Sequence, residues 1–115
     1  MLLTTEDLGD LPNVTAADID RILPTDSFGK FAILSQAETI FIQAGNDWQV
    51  GPECAAFLKQ HNSDPWVLEY RDGKSGKQYQ AKGRLTLDQV RLAFLSYLAG
   101  GNDWLKAHAW EELQL

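Results

Sequence analysis

Residues 66–100 constrain the fold most strongly, because the spacing of their apolar residues changes partway along. In segments 66–71 and 77–82, aromatic and aliphatic residues alternate with polar ones, which is typical of strands with one buried face. The connection 72–76 contains two glycines and predicts a hairpin turn. Over 85–100 the apolar residues follow helical spacing instead. The stretch therefore predicts a strand, a turn, a second strand and a helix.

The predicted helix has its own start and stop signals. Thr86, followed three residues later by Gln89, matches the pattern of a capping box, and Gly100 predicts the helix end. One side of the helix is apolar and should pack on the aromatic face of the hairpin, where Trp66 and Tyr79 are expected in the core. This apolar stripe consists of Leu87, Val90, Phe94, Tyr97 and Leu98.

Shorter elements are predicted before this stretch. Residues 1–13 combine scattered acids with leucines, and predict an arm that is either loosely ordered or docked through its leucines. A short helix should begin after Thr15 and end at Pro24. Two segments rich in β-branched and aromatic residues, 31–35 and 39–43, predict strands.

Three further segments leave alternatives open. Residues 44–51 are compatible with a loop or with a short strand that carries Trp48. Residues 52–62 begin with a proline and are compatible with a helix, and residues 110–115 with a final strand. The whole pattern predicts one α+β domain over residues 1–115, with a single antiparallel sheet of about four to six strands and helices packed on one face.

Composition and charge limit the class of protein. Apolar residues make up 44% of the chain, which argues against wholesale disorder, and no apolar run approaches the ~20 residues that cross a bilayer. A single cysteine, Cys54, and a start that turns acidic at once predict a cytoplasmic protein. The net charge of −6 argues against general nucleic-acid binding, although residues 71–91 are locally basic. We therefore expect a protein partner and no membrane, and the charge disfavours nucleic acid as the partner.

Catalytic motifs are not evident. Residues 73–75 (Gly-Lys-Ser) match the end of a phosphate-binding loop, but Leu68 stands where that motif requires its first glycine. His61 and His108 have no partner at the spacing of zinc ligands. We therefore expect a protein that is not an enzyme and that has neither catalytic residues nor a bound cofactor.

Calcium is an alternative ligand, because calcium takes hard oxygen ligands and acidic loops supply them. Asp47 and Glu53 lie in or beside one predicted loop, and Asp103 and Glu111 lie in or beside another. The helix–loop–helix calcium pattern is absent. The other interpretation is that these acids keep the surface soluble.

The tetrapeptide Gly-Asn-Asp-Trp occurs twice, at 45–48 and 101–104, and each copy places an aromatic side chain beside a carboxylate. A protein that blocks its partner needs an anchor that becomes desolvated and a charged surround that steers encounter. If the two copies share one edge of the fold, they could form one patch with the acids near the chain end. The alternative is that both tryptophans close the edges of the sheet. The predicted partner-binding residues are Asp47, Trp48, Asp103, Trp104, Glu111 and Glu112.

Several blocks of the chain carry a family resemblance. The blocks are 41–45 (Phe-Ile-Gln-Ala-Gly), 67–73 (Val-Leu-Glu-Tyr-Arg-Asp-Gly), 78–81 (Gln-Tyr-Gln-Ala), 85–100 and Trp110. They resemble small bacterial proteins that we associate with the immunity proteins of polymorphic toxin systems. A cyanobacterial calcium-binding protein is distantly similar in the same blocks. The resemblance covers roughly residues 30–115, in which 52–62 looks like an insertion.

The resemblance implies a non-catalytic protein that binds and blocks a toxin, with no catalytic residues to transfer from the family. Together with the acidity of the chain, it leads to the hypothesis of an immunity-type inhibitor of a basic toxin domain, acting as a monomer or weak homodimer. The alternative hypothesis is a calcium-binding or calcium-responsive regulatory protein.

Overall fold

A computed structural model describes residues 1–48 and 51–113. The strands in this part of the chain are β1 (Leu2–Thr5), β2 (Gly9–Leu11), β3 (Phe31–Ala37), β4 (Ile40–Asn46), β5 (Trp66–Arg71), β6 (Gln78–Ala81) and β7 (Trp110–Glu112). The helices are α1 (Ala16–Ile22), α2 (Pro52–Gln60), α3 (Leu87–Leu98) and the short α4 (Asp103–Lys106), and Asp26–Phe28 form one turn of 3₁₀ helix.

All seven described strands belong to one antiparallel sheet, in the order β2-β1-β3-β4-β5-β6-β7. The predicted α+β fold with a single antiparallel sheet is therefore confirmed. The strand number exceeds the predicted range, because the N-terminal segment, which was not predicted as strand, adds β1 and β2 at one side of the sheet. Among the described residues, no helix is long and apolar enough to cross a membrane.

The first thirteen residues, predicted as a loose or docked arm, contribute two strands to the sheet. Leu3 pairs with Leu34 of β3 on one side and with Leu11 of β2 on the other, and it is fully buried. Its side chain belongs to the main hydrophobic core. The N-terminal segment is therefore part of the sheet and of the core.

The hairpin from β5 to β6 and the following helix form as the sequence pattern predicts. Tyr70 lies directly opposite Tyr79, and their rings stack with centroids 5.0 Å apart. The Thr86 hydroxyl accepts a hydrogen bond from the Gln89 N–H at 3.1 Å, while the Gln89 side chain accepts one from the Thr86 N–H at 2.9 Å. Gly100 has φ +77°, the left-handed conformation that ends many helices and that glycine adopts without strain.

The helices pack on one face of this sheet. Val90, Phe94 and Tyr97 of the predicted stripe are buried against it, and Leu87 and Leu98 are partly buried. α1, which carries the capping box predicted at Thr15, packs beside α3. Trp66 is 1% exposed and completes the core at one end of β5, as predicted.

The structure shows which alternative each of the three ambiguous segments adopts. β4 continues through Asn46, so the first part of 44–51 is strand, while residues 49–50 lie outside the described residues. Residues 52–60 form α2, which occupies the connection between β4 and β5 and buries only Leu58. Residues 110–112 form the edge strand β7, and residues 114–115 lie outside the described part.

Candidate functional site: the open face of the sheet

The face of the sheet opposite the helices remains accessible to solvent. Because successive side chains along a strand point to opposite faces of the sheet, the residues between the buried ones point to this second face. In β5, Trp66 and Leu68 are buried, whereas Val67, Glu69 and Arg71 are only partly buried. The same holds on the neighbouring strands, and none of the described residues that point to this face is buried. We refer to it as the open face.

A carboxylate lies at the centre of the open face. Glu69 of β5 pairs with Gln43 of β4 on one side and with Gln80 of β6 on the other. Its Oε1 accepts a hydrogen bond from Gln43 Nε2 at 3.3 Å and another from Gln78 Nε2 at 2.7 Å. Charge-assisted hydrogen bonds of this kind orient a carboxylate. The open face therefore presents a fixed negative charge surrounded by amides.

A groove of about 450 Å³ runs over this carboxylate toward the Trp66 end of the sheet. Its lining combines polar residues with three apolar side chains of the open face, namely Phe31, Ile33 and Val67. Phe31 is 37% exposed although it is a large aromatic residue. The groove thus combines apolar walls with a charged acceptor, the arrangement that suits a long side chain with an apolar stem and a polar end.

An ion pair closes this end of the groove. An Arg84 guanidinium nitrogen lies 2.8 Å from a carboxylate oxygen of Asp47. The Asp47 N–H also donates to the carbonyl of Pro65 at 3.0 Å, so that the residue is held by both its backbone and its side chain. Arg84 Nε is buried and has no hydrogen-bond partner among the described residues. Asp47 is therefore a positioned group of the groove.

Trp48 follows directly and is 68% exposed, the most exposed large apolar side chain in the described part of the chain. Burying an exposed indole when a partner binds removes a large apolar area from water. The predicted pair of Asp47 and Trp48 is thus an ion-paired carboxylate at one end of the groove, followed in the chain by an exposed aromatic residue.

The second predicted pair has a different environment. The Trp104 ring contacts those of Tyr70 and Tyr97, with centroids 5.0 and 5.2 Å apart. Its indole N–H donates to the carbonyl of Gly101 at 2.9 Å. Trp110 joins the same group, 4.8 Å from Tyr70. Trp104 is therefore a partly buried member of an aromatic cluster between the helix layer and the sheet.

The two Asp-Trp pairs lie toward opposite ends of β5. Asp47 follows Asn46, which pairs with Trp66, whereas Trp104 packs on Tyr70. Four residues along a strand separate Trp66 from Tyr70, a distance of about 13 Å. The structure therefore does not bring the predicted residues together into one patch.

The two C-terminal acids diverge, as expected for neighbours in a strand. Glu111 lies opposite Gln80 and so points to the open face, while Glu112 lies opposite Tyr79 on the other face. Glu112 is 3.7 Å from the ammonium group of Lys77. Of this pair, only Glu111 shares a face with Glu69.

The four calcium candidates occupy four different elements or loops. Asp47 is paired with Arg84, Glu53 lies in the first turn of α2, Asp103 begins α4, and Glu111 lies in β7. Within residues 1–48 and 51–113, no group of three His, Cys, Asp or Glu side chains is placed to hold a metal ion.

Sequence reasoning did not identify the centre of the open face. The alternation in β5 predicts that Glu69 lies on the polar side of its strand, but it does not predict which residues of other strands lie beside it. Gln43 belongs to another strand, and only the register of β4 against β5 places it beside Glu69. The signal in the sequence is that three glutamines, Gln43, Gln78 and Gln80, occupy the polar sides of the predicted strands.

Comparisons with protein-family models, with curated proteins and with solved structures found no match to this chain. The class of protein is therefore defined by its architecture, a two-layer α+β protein whose seven described strands form one antiparallel sheet, with helices on one face and an accessible second face.

Proposed function

We propose that this protein is a non-catalytic binding protein, an immunity-type inhibitor that blocks a basic toxin enzyme through the open face and Trp48. The observation that carries the proposal is the 68% exposure of Trp48, which directly follows Asp47 of the groove lining. Tryptophan is enriched among the residues that dominate binding energy, and such residues work best where surrounding contacts exclude water. The neighbouring Asp47, which is paired with Arg84, supplies a polar group beside this side chain.

A basic partner is favoured by charge and by shape. The chain carries a net charge of −6, which attracts a basic protein over a distance comparable to the screening length. At short range, the groove offers the Glu69 carboxylate below apolar walls. A lysine or arginine side chain of the partner would place its stem on the walls and its charged end at Glu69. Enzymes that act on nucleic acids present basic clefts of this kind, which supports a toxin of that class.

Two kinds of residue should affect different rate constants of binding. An aromatic anchor is desolvated only in the complex, so its loss should accelerate dissociation. A charge acts before contact, so its loss should slow association, and less so as salt shortens the screening length. These effects can be measured separately.

We expect Trp48→Ala to accelerate dissociation roughly thirtyfold, which corresponds to the ~2 kcal/mol of a strong anchor residue. The measurement is surface plasmon resonance against the toxin domain encoded beside this protein. Leu92→Ala is the matched control, because Leu92 is also an exposed apolar residue, at 52%, but lies on the outer side of α3. The control should bind with unchanged kinetics.

We expect Glu69→Gln to slow association at low salt, and the difference from wild type to shrink as salt rises past 0.15 M, where the screening length is about 8 Å. Glu38→Gln removes the same charge from the exposed turn between β3 and β4 and serves as the control. If Trp48→Ala and Glu69→Gln both fold and both bind with wild-type kinetics, the open face is not the binding surface.

A further inference from the structure

A second recess, which we call the acidic cleft, lies on the helix side of the sheet. It measures about 620 Å³ and is formed where the end of α2 and the start of α3 meet the turn that precedes Phe28. This volume is within the range of sites that bind small molecules or single side chains. Its lining includes Asp26, Phe57, His61, Asp64, Trp66 and Asp88.

Two carboxyl groups, those of Asp26 and Asp64, line the acidic cleft together and interact with each other. Burial, followed by the hydrogen bond and the charge of Asp26, raises the pKa of Asp64 above its ordinary value. Neither group forms a salt bridge with a lysine or arginine in the described part of the chain. Asp88 differs, since its carboxylate is 2.8 Å from Arg91. The cleft therefore contains one like-charged pair without a counter-ion.

The cleft also contains a donor without an acceptor. Trp66 is 1% exposed and packs on Phe28 with ring centroids 5.5 Å apart, yet it contributes to the lining of the cleft. Its indole N–H is buried and has no hydrogen-bond partner among the described residues. Leaving a buried N–H unsatisfied is costly, and an acceptor on a bound molecule would remove that cost.

We propose that the acidic cleft binds an arginine residue of a polypeptide, with its guanidinium group on Asp26 and Asp64. A guanidinium is planar and carries five donors, so one group can satisfy two adjacent carboxylates. Phe57 is 41% exposed at the rim and offers a surface for the aliphatic stem and the guanidinium plane. The peptide carbonyl of such a residue is the acceptor that the Trp66 N–H lacks.

This inference deepens the proposed function, since a basic partner is the source of such an arginine, but its test does not require the partner. The probe is Nα-acetyl-arginine amide, titrated into the ¹⁵N-labelled full chain at neutral pH and low salt. The readout is the indole N–H signal of Trp66 together with the backbone signals of residues 61–64. We expect a saturable shift of these signals.

Two matched probes identify the group that is recognised. Nα-acetyl-citrulline amide has the same shape without the charge and should not bind measurably. n-Propylguanidine keeps the guanidinium and a short apolar stem but lacks the carbonyl, so it should shift the signals of residues 61–64 and leave the Trp66 indole signal nearly unchanged. Citrulline that binds as well as arginine would overturn the proposal, as would arginine that produces no saturable shift.

Substitutions of the two carboxyl groups test whether the arginine probe binds in the acidic cleft. Asp64→Asn and Asp26→Asn keep the side-chain shape and should each weaken arginine binding about tenfold or more, the effect of losing a hydrogen bond to a charged group. Asp10→Asn removes the same charge from β2 and should not change the affinity. Wild-type affinity in both cleft variants would overturn the proposal. Trp48→Ala should bind the probe normally, so failure at the cleft and failure at the open face are distinguishable.

Discussion

At the scale of single residues, two aspartates should affect the pH dependence of stability with opposite sign. The pKa of Asp64 is raised by burial and by Asp26, so the folded state holds its proton more tightly than the unfolded state does. The stability it contributes is present at low pH and is lost as pH rises from about 3.8, its ordinary pKa, through the folded value. The other ionisable groups of the cleft are His61 and Asp88.

Asp64→Asn should therefore be more stable than wild type at pH 7, with the difference shrinking toward pH 3, as measured by urea unfolding. Asp18→Asn should show the opposite. The pKa of Asp18 is lowered by the Thr15 N–H and by Arg21, so its contribution is present above about 3.8 and is lost as pH falls through the folded value. A destabilised Asp64→Asn at pH 7 would mean that the carboxylate pair is held by a favourable contact.

At the scale of elements, the stability of α3 comes mainly from its packing on the sheet. A helix of 12 residues is marginal when isolated, and this one covers the centre of the sheet. Phe94 is fully buried, so Phe94→Ala should lower the free energy of unfolding by ~3–5 kcal/mol. Thr86→Ala, which removes the N-cap, should cost ~1 kcal/mol.

Urea unfolding of both variants tests this order of effects, with Leu92→Ala as the control on the exposed side of the same helix. Leu92→Ala should change the free energy of unfolding by less than ~0.5 kcal/mol. An unfolding midpoint that barely moves in Phe94→Ala would mean that the helix does not pack on the sheet through this side.

At the scale of the whole molecule, the N-terminal hairpin protects the sheet. β1 covers the edge of β3, and Leu3 fills the core beside Leu34. Deleting residues 1–11 would leave β3 as an edge strand with unpaired backbone groups, a template for association between copies. We expect the deletion variant to associate or to unfold, as measured by size-exclusion chromatography with light scattering.

Leu3→Ala is the milder form of this test and should cost ~2–5 kcal/mol, while Leu8→Ala, at a position 57% exposed in the turn between β1 and β2, should cost little. A deletion variant that stays monomeric with an unchanged unfolding midpoint would show that the hairpin is dispensable.

The sequence by itself determined the features that depend on neighbours in the chain. The alternation of Trp66, Leu68 and Tyr70 predicted both the strand and its buried face, and the capping residues Thr86 and Gln89 predicted where α3 begins. These signals are reliable because a strand period and a helix cap are set by residues at most a few positions apart. The fold class followed from the order of such elements.

Only the tertiary structure decided which distant residues meet. The register of β4 against β5 places Gln43 where it donates a hydrogen bond to Glu69. Asp26 interacts with Asp64, which is 38 positions further along the chain (64 − 26). The N-terminal residues pair with β3. The tetrapeptide at 45–48 and 101–104 shows the same limit, since one copy exposes its tryptophan and the other packs it among tyrosines. Identical local sequence cannot specify these outcomes, because burial and partners depend on the elements that the fold places around each copy.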